Sequence, residues 1–351
     1  MRTMSYREAL RVAMLEEMRR DPSVVVFCED GRFWTMPTNG FVDEFGPDRV
    51  PVMPISEEGF TGAAIGAAMT GLRPIVDYTI ANLMYVAWDQ IVNHAAKNRY
   101  LFGGQASVPI VFRAAMKYAN ATAAQHSDRP YPQLMNVPGL KIVVPSTPAD
   151  ALGLLKSAIR DDDPVVFFEP LRLWGVKGEV PDGDHLVPIG RAAVAREGED
   201  VTVVAIGDAV PAALRAAAGL AERGVGLEVI DPRTLVPLDK AAILASVAKT
   251  GRLVIADPAH RTCGAAAEIA AIVAEEGFAF LRAPIVRVVA PDVHPPFSPA
   301  LERLMYPTPE RIAAAAAALV RGAAPAADPA PPATAATDTA ARDTTKELVG
   351  G

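Results

Sequence analysis

Two adjacent carboxylates, Glu57 and Glu58, precede a run of small and apolar residues in PISEEGFTGAAIGAAMTG, which spans residues 54–71. Acidic side chains rarely stand beside a segment suited to close burial. If Ser56 caps a helix that begins near Glu58, then Glu57 lies between the end of a strand and the start of a helix, where open α/β sheets bind ligands. The positive end of a helix dipole also attracts carboxylates, so spacing alone leaves both interpretations open.

A histidine is the second candidate for chemistry. His126 lies in the polar, proline-containing stretch ATAAQHSDRPYP, which follows a predicted strand. Because imidazole exchanges protons near neutral pH, a histidine in such a loop can act as a general acid or base. An ordinary surface histidine has the same sequence context, and the residues by themselves do not separate the two.

Other familiar chemistries leave no motif in the sequence. The P-loop pattern, H-E-x-x-H and G-x-S-x-G are absent, and Gly224-Val-Gly226 lacks the third glycine of a dinucleotide-binding turn. The five histidines show no metal-ligand spacing: His94, His126, His185, His260 and His294. The acidic pair and His126 therefore remain the residues to be positioned.

The elements that must position them alternate between strand and helix. Continuous apolar runs predict strands at 24–30, 71–78, 108–114, 140–146 and 163–170, with helical patterns between them that include 86–101 and 148–160. This alternation is typical of a parallel sheet covered on both faces. It predicts an α/β fold.

A second α/β unit is predicted after a linker rich in Gly, Pro and Asp at 171–190. Its strands are expected at 200–207, 225–231, 251–257 and 285–291, and its helices at 209–223, 238–248 and 264–276. We therefore expect two open-sheet domains, at 1–180 and 190–321. The tail 322–351 is rich in Ala, Pro, Thr and Asp and is predicted to be disordered.

Composition limits the class of protein. The chain has 351 residues, half of them hydrophobic, with a net charge of −7. Such an acidic balance argues against general nucleic-acid binding and offers no polybasic patch for a membrane surface. No run reaches the roughly 18 apolar residues that cross a bilayer, and two cysteines without a CxxC pair suit a reducing compartment. We expect a soluble cytoplasmic protein with neither nucleic acid nor membrane as its partner.

Several longer motifs occur in order along the chain: PISEEGFTGAAIGAAMTGLRPIVD, AWDQIVNHAAK, VPIVFR, AAQHS, EVIDPRTLVPLD and APDVHPPFSP. Together they resemble the beta subunit of the thiamine-diphosphate-dependent 2-oxo acid dehydrogenase component, a family that includes the pyruvate, branched-chain 2-oxo acid and acetoin dehydrogenases. The resemblance covers about residues 4–320. It implies a transketolase-like pyrimidine-binding domain followed by a transketolase C-terminal domain.

The resemblance also implies roles for the two candidates. Glu57 matches the glutamate that hydrogen-bonds N1′ of the thiamine aminopyrimidine, and His126 in AAQHS matches the catalytic histidine of the family. Protonation at N1′ activates the cofactor, which serves as the electron sink for decarboxylation. His126 is expected to orient or protonate intermediates during acyl transfer to a lipoyl group. The implied function is oxidative decarboxylation of a pyruvate-like 2-oxo acid.

Departures from the family pattern concern the cofactor pocket and nearby loops. Leu83 stands where relatives often have an aromatic residue that stacks near the aminopyrimidine, and Tyr85 or Tyr78 is expected to compensate. Leu83 and Tyr85 complete the predicted cofactor-binding set. The stretches 31–41 and 113–122 also differ from the usual loops, which points to a changed substrate or a specialised pathway.

A monovalent cation, usually K⁺, is bound in the family by main-chain carbonyls and an aspartate. The matching positions here are Ile110, Ala158, Ile159, Asp161 and Asp163. Three consecutive acids at the carboxyl end of a helix lie beside the negative end of its dipole. A bound cation would offset this repulsion between like charges. An acidic turn that ends the helix is the alternative.

The resemblance further implies partners. The G-D-G…N motif with which family alpha subunits bind Mg²⁺ and the diphosphate is absent from this sequence. The chain is therefore expected to supply half of the thiamine diphosphate site, within an α2β2 heterotetramer. In that assembly the Mg²⁺ ion is expected to be bound mainly by the alpha subunit. A lipoyl-bearing dihydrolipoamide acyltransferase is the other expected partner. Three alternatives stay open: an acetoin dehydrogenase beta subunit, a split transketolase-like half, and a degenerate non-catalytic scaffold.

Overall fold

Strands and helices alternate along the chain, and the computed structural model describes residues 1–29 and 36–323. In chain order the strands are β1 Arg2–Ser5, β2 Val24–Cys28, β3 Arg73–Ile80, β4 Val111–Met116, β5 Lys141–Val143, β6 Val165–Pro170, β7 Lys177–Val180, β8 Ala193–Arg196, β9 Val201–Ala205, β10 Leu227–Asp231, β11 Thr234–Val236, β12 Leu253–His260 and β13 Val286–Ala290. The α-helices are α1 Tyr6–Arg20, α2 Phe41–Phe45, α3 Glu57–Met69, α4 Asn98–Leu101, α5 Tyr131–Met135, α6 Pro148–Arg160, α7 Ala209–Ala221, α8 Lys240–Thr250, α9 Ala265–Glu276, α10 Pro299–Glu302 and α11 Pro309–Val320.

The first sheet has six strands in the order β11-β5-β6-β4-β3-β2. Strands β2 to β6 pair in parallel. Successive residues point to opposite faces, so Ile75 packs in the core formed with α1 and α6, whereas Val76 packs in the core that contains α3. Both faces are therefore buried, which explains the continuous apolar runs and confirms the predicted parallel sheet.

The second sheet has five strands in the order β13-β12-β9-β10-β8. Its strands pair in parallel except for β8, which runs antiparallel to β10. Apolar faces of α7 and α11 cover one side, and those of α8 and α9 cover the other. The expectation of two open-sheet α/β units is thereby confirmed.

One strand from the second half of the chain joins the sheet of the first unit. Strand β11, which follows β10 of the second sheet, pairs antiparallel with β5 at the edge of the first sheet. Arg233 directly before it donates from Nη1 to Asp150 of α6 at 2.8 Å and from Nη2 to the Ala192 carbonyl at 3.0 Å. Arg233 thus joins the second unit to α6 of the first, and the boundaries 1–180 and 190–321 remain predictions.

Several local predictions were wrong. The stretch 86–101 does not form one helix: a π-helix spans Gln90–Ala95, where the Ala96 N–H donates to the Ile91 carbonyl, and α4 follows. Apolar spacing cannot distinguish this i→i+5 bonding from an α-helix. Helix α3 begins at Glu57, and the Ser56 side chain makes no capping hydrogen bond. The short strands β1, β7, β8 and β11 were not predicted.

Two further expectations fall largely outside the described residues. The predicted disordered tail 322–351 is described only as far as residue 323, and the unusual loop 31–41 only from residue 36. Among the helices that the structure does describe, none combines the length and apolar character needed to cross a membrane.

Candidate functional site

The carboxyl ends of three neighbouring strands bring most of the predicted site together. Strands β2, β3 and β4 are adjacent and parallel, so they end at the same edge of the sheet. Helix α3 returns from this edge to the start of β3, which places Glu57 at the edge. The turn 81–85 follows β3 and the loop with His126 follows β4. This is the edge at which open α/β sheets bind ligands.

Glu57 is a buried acid at the first position of α3, with 6% of its surface exposed, whereas Glu58 is exposed. Within residues 1–29 and 36–323, no group donates a hydrogen bond to its carboxylate. Its neighbour Tyr78 is fully buried and bonded to Thr61 at 2.6 Å, and burial, reinforced by the charge of Glu57, raises the pKa of Tyr78 well above its usual range. A buried carboxylate without a donor suits a ligand that presents an N–H group.

The turn that carries Leu83 and Tyr85 is a 3₁₀ helix spanning Ala81–Tyr85. Leu83 is half-buried and packs on the core that contains α3. Tyr85 is 38% exposed, and its ring centroid lies 6.3 Å from that of Trp88. Burial, followed by the charge of Asp128, raises the pKa of the Tyr85 hydroxyl. Leu83 therefore offers an apolar contact at the edge, and Tyr85 a neutral hydroxyl.

His126 ends a 3₁₀ turn, Ala124–His126, in the loop after β4. Its ring is half-buried, and Nδ1 is enclosed without a hydrogen-bond partner among the described residues. The Thr122 hydroxyl lies 3.3 Å from the His126 carbonyl and 2.9 Å from the Ser127 hydroxyl. The loop thus fixes the main chain around the imidazole, while Nδ1 stays unpaired among the described residues.

Residues of the second unit complete this loop, and sequence reasoning missed them. The Arg129 guanidinium contacts two neighbouring tyrosine rings, 5.4 Å from the centroid of Tyr118 and 5.2 Å from that of Tyr306, and these two centroids are 5.0 Å apart. Its Nη2 is 3.2 Å from Nε2 of His260. Burial, together with the charge of Arg129, lowers the pKa of the His260 imidazole. The motif HSDRP carries Arg129 itself, but no local signal marks Tyr306 or His260.

A buried ionic triad lies within the sheet behind this edge. Arg113 on β4 pairs with Asp77 on β3 and with Glu169 on β6, and all three are almost fully buried. Burial raises the pKa of Glu169 to about 7, against the opposing effect of Arg113. The Thr79 N–H donates to Asp77 at 3.0 Å, and Thr79 has a φ of +62°. The triad thus anchors the end of β3, from which the Leu83 turn leaves.

The predicted cation ligands lie at the opposite edge of the sheet. Ile110 directly precedes β4, and residues 158–163 form the end of α6 and the start of the loop to β6, so all of them stand at the amino ends of the strands. The Ile110 carbonyl accepts the Val165 N–H at 2.9 Å. The structure therefore separates these residues from Glu57 and His126.

Basic side chains already contact this acidic loop. Arg73 donates from Nη1 to the carbonyls of Ile159 at 3.1 Å and of Asp161 at 2.9 Å. Lys141 donates to the Asp161 carboxylate at 2.7 Å and lies 3.2 Å from Asp163. No group of three or more His, Cys, Asp or Glu side chains in the described part of the chain is arranged to hold a metal ion.

Comparison with known proteins gives consistent matches over most of the chain. Residues 2–175 match the transketolase pyrimidine binding domain, and residues 190–312 match the transketolase C-terminal domain. The beta subunit of acetoin:2,6-dichlorophenolindophenol oxidoreductase from Bacillus subtilis is 46% identical over 326 residues, which cover 89% of this chain and 95% of that protein. The beta subunit of the pyruvate dehydrogenase E1 component from Rhizobium meliloti is 45% identical over 313 residues, which cover 88% and 68%.

A solved structure extends the comparison to the fold. A split gene transketolase, described as an inactive beta4 tetramer, is 26% identical to this chain with a TM-score of 0.75. The match covers 91% of this chain and 98% of that chain. Both α/β units are therefore shared with it.

Proposed function

Because the chain belongs to the beta subunits of the E1 component of 2-oxo acid dehydrogenases, which contain transketolase pyrimidine-binding and C-terminal domains, we propose that it acts with an alpha subunit in the oxidative decarboxylation of a 2-oxo acid. The cofactor of this family is thiamine diphosphate. The observation that carries the proposal is the burial of Glu57, without a hydrogen-bond donor, at the edge that also holds His126.

The residues at this edge fit the aminopyrimidine of thiamine diphosphate, which when bound supplies an electron sink for cleaving a bond next to a carbonyl. Glu57 would accept a hydrogen bond from the protonated N1′ position, a donor that the described protein does not provide. Leu83 would pack against the ring, and Tyr85 would border it. These three assignments rest on the edge placement and on the resemblance of the motifs.

His126 is proposed to hold and deliver a proton during transfer of the acyl group to a lipoyl arm. His126 stands at the carboxyl edge of the sheet, and no described residue bonds to its enclosed Nδ1, so that nitrogen is not already engaged in a hydrogen bond. A lipoyl-bearing dihydrolipoamide acyltransferase is the proposed acceptor.

An alpha subunit is proposed to complete the site and to form an α2β2 heterotetramer. The chain has no phosphate-binding motif, so Mg²⁺ and the diphosphate would be held mainly by that partner. Three consecutive apolar side chains are exposed, Tyr100 by 88%, Leu101 by 66% and Phe102 by 52%, as on a surface that another subunit covers.

A cytoplasmic location also remains a prediction, which cell fractionation would test.

The monovalent cation remains a proposal as well. Main-chain carbonyls and carboxylates are oxygen ligands that suit a hard cation. Two of the predicted ligands, Ile159 and Asp161, already accept hydrogen bonds from Arg73 or Lys141. We would compare thermal unfolding of the assembled complex in potassium chloride and in choline chloride at equal ionic strength. A higher midpoint in potassium supports the site, and equal midpoints would remove it.

Acetoin is the second candidate substrate. It is favoured by the Bacillus subtilis relative named as an acetoin oxidoreductase subunit, which is 46% identical and matched over 95% of its length. The complex with the alpha subunit would be assayed for reduction of dichlorophenolindophenol with pyruvate, branched-chain 2-oxo acids and acetoin. A preference for one of these substrates would identify the reaction. Transfer of ketol units between sugars would indicate a transketolase-like half. Absence of turnover with every substrate would indicate a non-catalytic scaffold. Decarboxylation by this chain without a partner would contradict the half-site proposal.

A further inference from the structure

The loop that carries His126 begins with an unusual backbone. Ala119, Ala121 and Ala123 have φ values of +60°, +54° and +56°, in the left-handed region that favours glycine. Side chains with a Cβ rarely adopt this conformation, and here three of them do so at alternate positions. A segment with this much strain persists only where surrounding contacts hold it in place.

Glu302 of the second unit provides such a contact. One carboxylate oxygen accepts the Ala119 N–H at 2.7 Å, and the other accepts the Ala121 N–H at 2.8 Å. Glu302 is 2% exposed, and no basic side chain of the described residues lies within ion-pair distance of it. Two backbone amides, with the Tyr306 hydroxyl at 3.5 Å, therefore hold this buried charge.

The same strained segment connects directly to His126. Thr122 lies between the two amides that bind Glu302 and the imidazole, and its hydroxyl contacts the carbonyls of Lys117 and His126, each at 3.3 Å. Asn120 closes the loop by donating to the Tyr118 carbonyl at 2.9 Å. If the carboxylate of Glu302 were lost, the left-handed alanines could relax, and the histidine would lose its fixed position.

We propose that Glu302 is a positioning residue for His126: its carboxylate holds residues 119–123 in their left-handed path and thereby orients the imidazole. This inference rests on the proposed role of His126. It assigns to the C-terminal domain a function at the reacting edge of the first domain, across a sequence separation of 183 residues.

The test uses the full chain purified with its alpha subunit. Glu302→Gln keeps the shape of the side chain but replaces one acceptor oxygen with a donor. Hydrogen exchange of the amides in 117–127 should accelerate about tenfold or more, as expected for loss of a charge-assisted contact. Acyl transfer should fall by a similar factor, with the KM for thiamine diphosphate unchanged. Glu310→Gln, an exposed acid on α11, is the matched control and should change neither.

Rescue separates positioning from general damage. Adding Ala119→Gly and Ala121→Gly to Glu302→Gln should slow exchange and recover part of the acyl-transfer rate, because glycine adopts positive φ without strain. The two glycines alone, in a chain that retains Glu302, should slow opening of the loop about threefold after correction for intrinsic exchange rates. This variant keeps the test valid if Glu302→Gln fails to fold.

The outcomes distinguish the two proposals. Unchanged exchange in Glu302→Gln, or faster exchange with normal acyl transfer, would overturn the positioning role. Failure of the glycines to slow exchange would also count against it. Normal acyl transfer in His126→Ala would instead overturn the role of His126, while the exchange measurements would still report whether Glu302 holds the loop.

Discussion

Asn82 and Asp128 exchange two hydrogen bonds, one from the Asn82 amide to the Asp128 carboxylate at 2.8 Å and one from the Asp128 N–H back to the Asn82 carbonyl oxygen at 3.3 Å. Asn82 stands next to Leu83, and Asp128 lies two residues after His126. This pair therefore joins the proposed cofactor turn to the proposed catalytic loop. It makes the carboxyl edge of the sheet a single connected site.

Asn82→Ala should weaken that connection. It leaves the Asp128 carboxylate and N–H with fewer partners, which we expect to lower the free energy of unfolding by about 1–3 kcal/mol. Urea unfolding measures the change. Asn93→Ala is the control, because Asn93 is exposed and its bond to Asp89 lies within one helical turn; an equal loss in both variants would contradict the coupling.

Glu57→Gln should abolish thiamine-dependent turnover without unfolding the chain. Glutamine has nearly the same shape, but an amide cannot share a proton with the N1′ position as a carboxylate does. The measurement is kcat for the assembled complex at saturating thiamine diphosphate. The neighbouring Glu58 is exposed, so Glu58→Gln should retain its activity. Turnover near the wild-type rate in Glu57→Gln would exclude the assignment.

His126→Ala should impair acyl transfer more than decarboxylation. Loss of a general acid or base costs about a hundredfold or more in the step that uses it, so lipoyl acylation should fall by this factor while dichlorophenolindophenol reduction falls less. His94→Ala serves as the control, since His94 is exposed and its ion-pair partner Asp89 lies on the same segment. Equal losses in both reactions would assign His126 to an earlier step.

Asp231→Asn should reduce the pH dependence of stability. Burial, reinforced by the charge of Asp150, raises the pKa of Asp231 from 3.8 to about 7. A carboxyl group that binds its proton more tightly in the folded state stabilises the fold at low pH, and this contribution disappears as pH rises through about 7. Wild type should therefore lose stability relative to Asp231→Asn between about pH 4 and about pH 7.

Denaturation midpoints at several pH values would measure this difference. Asp48→Asn, at an exposed acid, is expected to follow the wild-type curve. Parallel curves for wild type and Asp231→Asn would show that Asp231 has the same affinity for its proton in both states.

Arg113→Met should be strongly destabilising. It leaves Asp77 and Glu169 buried without their shared cation, and breaking a buried ion pair typically costs about 3–5 kcal/mol. Chemical denaturation measures the change. Arg19→Met, which removes an exposed pair with Glu44, should have little effect. A small loss in Arg113→Met would mean that the two acids take up protons when the cation is removed.

Much of the fold could be predicted because it rests on local composition. Continuous apolar runs such as 163–170 mark strands that are buried on both faces, and α6 was predicted with its observed limits, 148–160, because its apolar residues recur at the helical period. The π-helix and the short strands were missed, since their hydrogen bonding depends on neighbours that the periodicity does not reveal.

For the site, the sequence by itself determined the family and the candidate residues, because a carboxylate, a histidine and their flanking motifs are read directly from the order of residue types. Only the tertiary structure decided that Glu57, Leu83 and His126 share the carboxyl edge while the predicted cation ligands lie at the amino edge. It alone brought Glu302 and Tyr306 to the histidine loop. Contacts between residues about 180 positions apart arise from chain packing and leave no periodic pattern in the sequence.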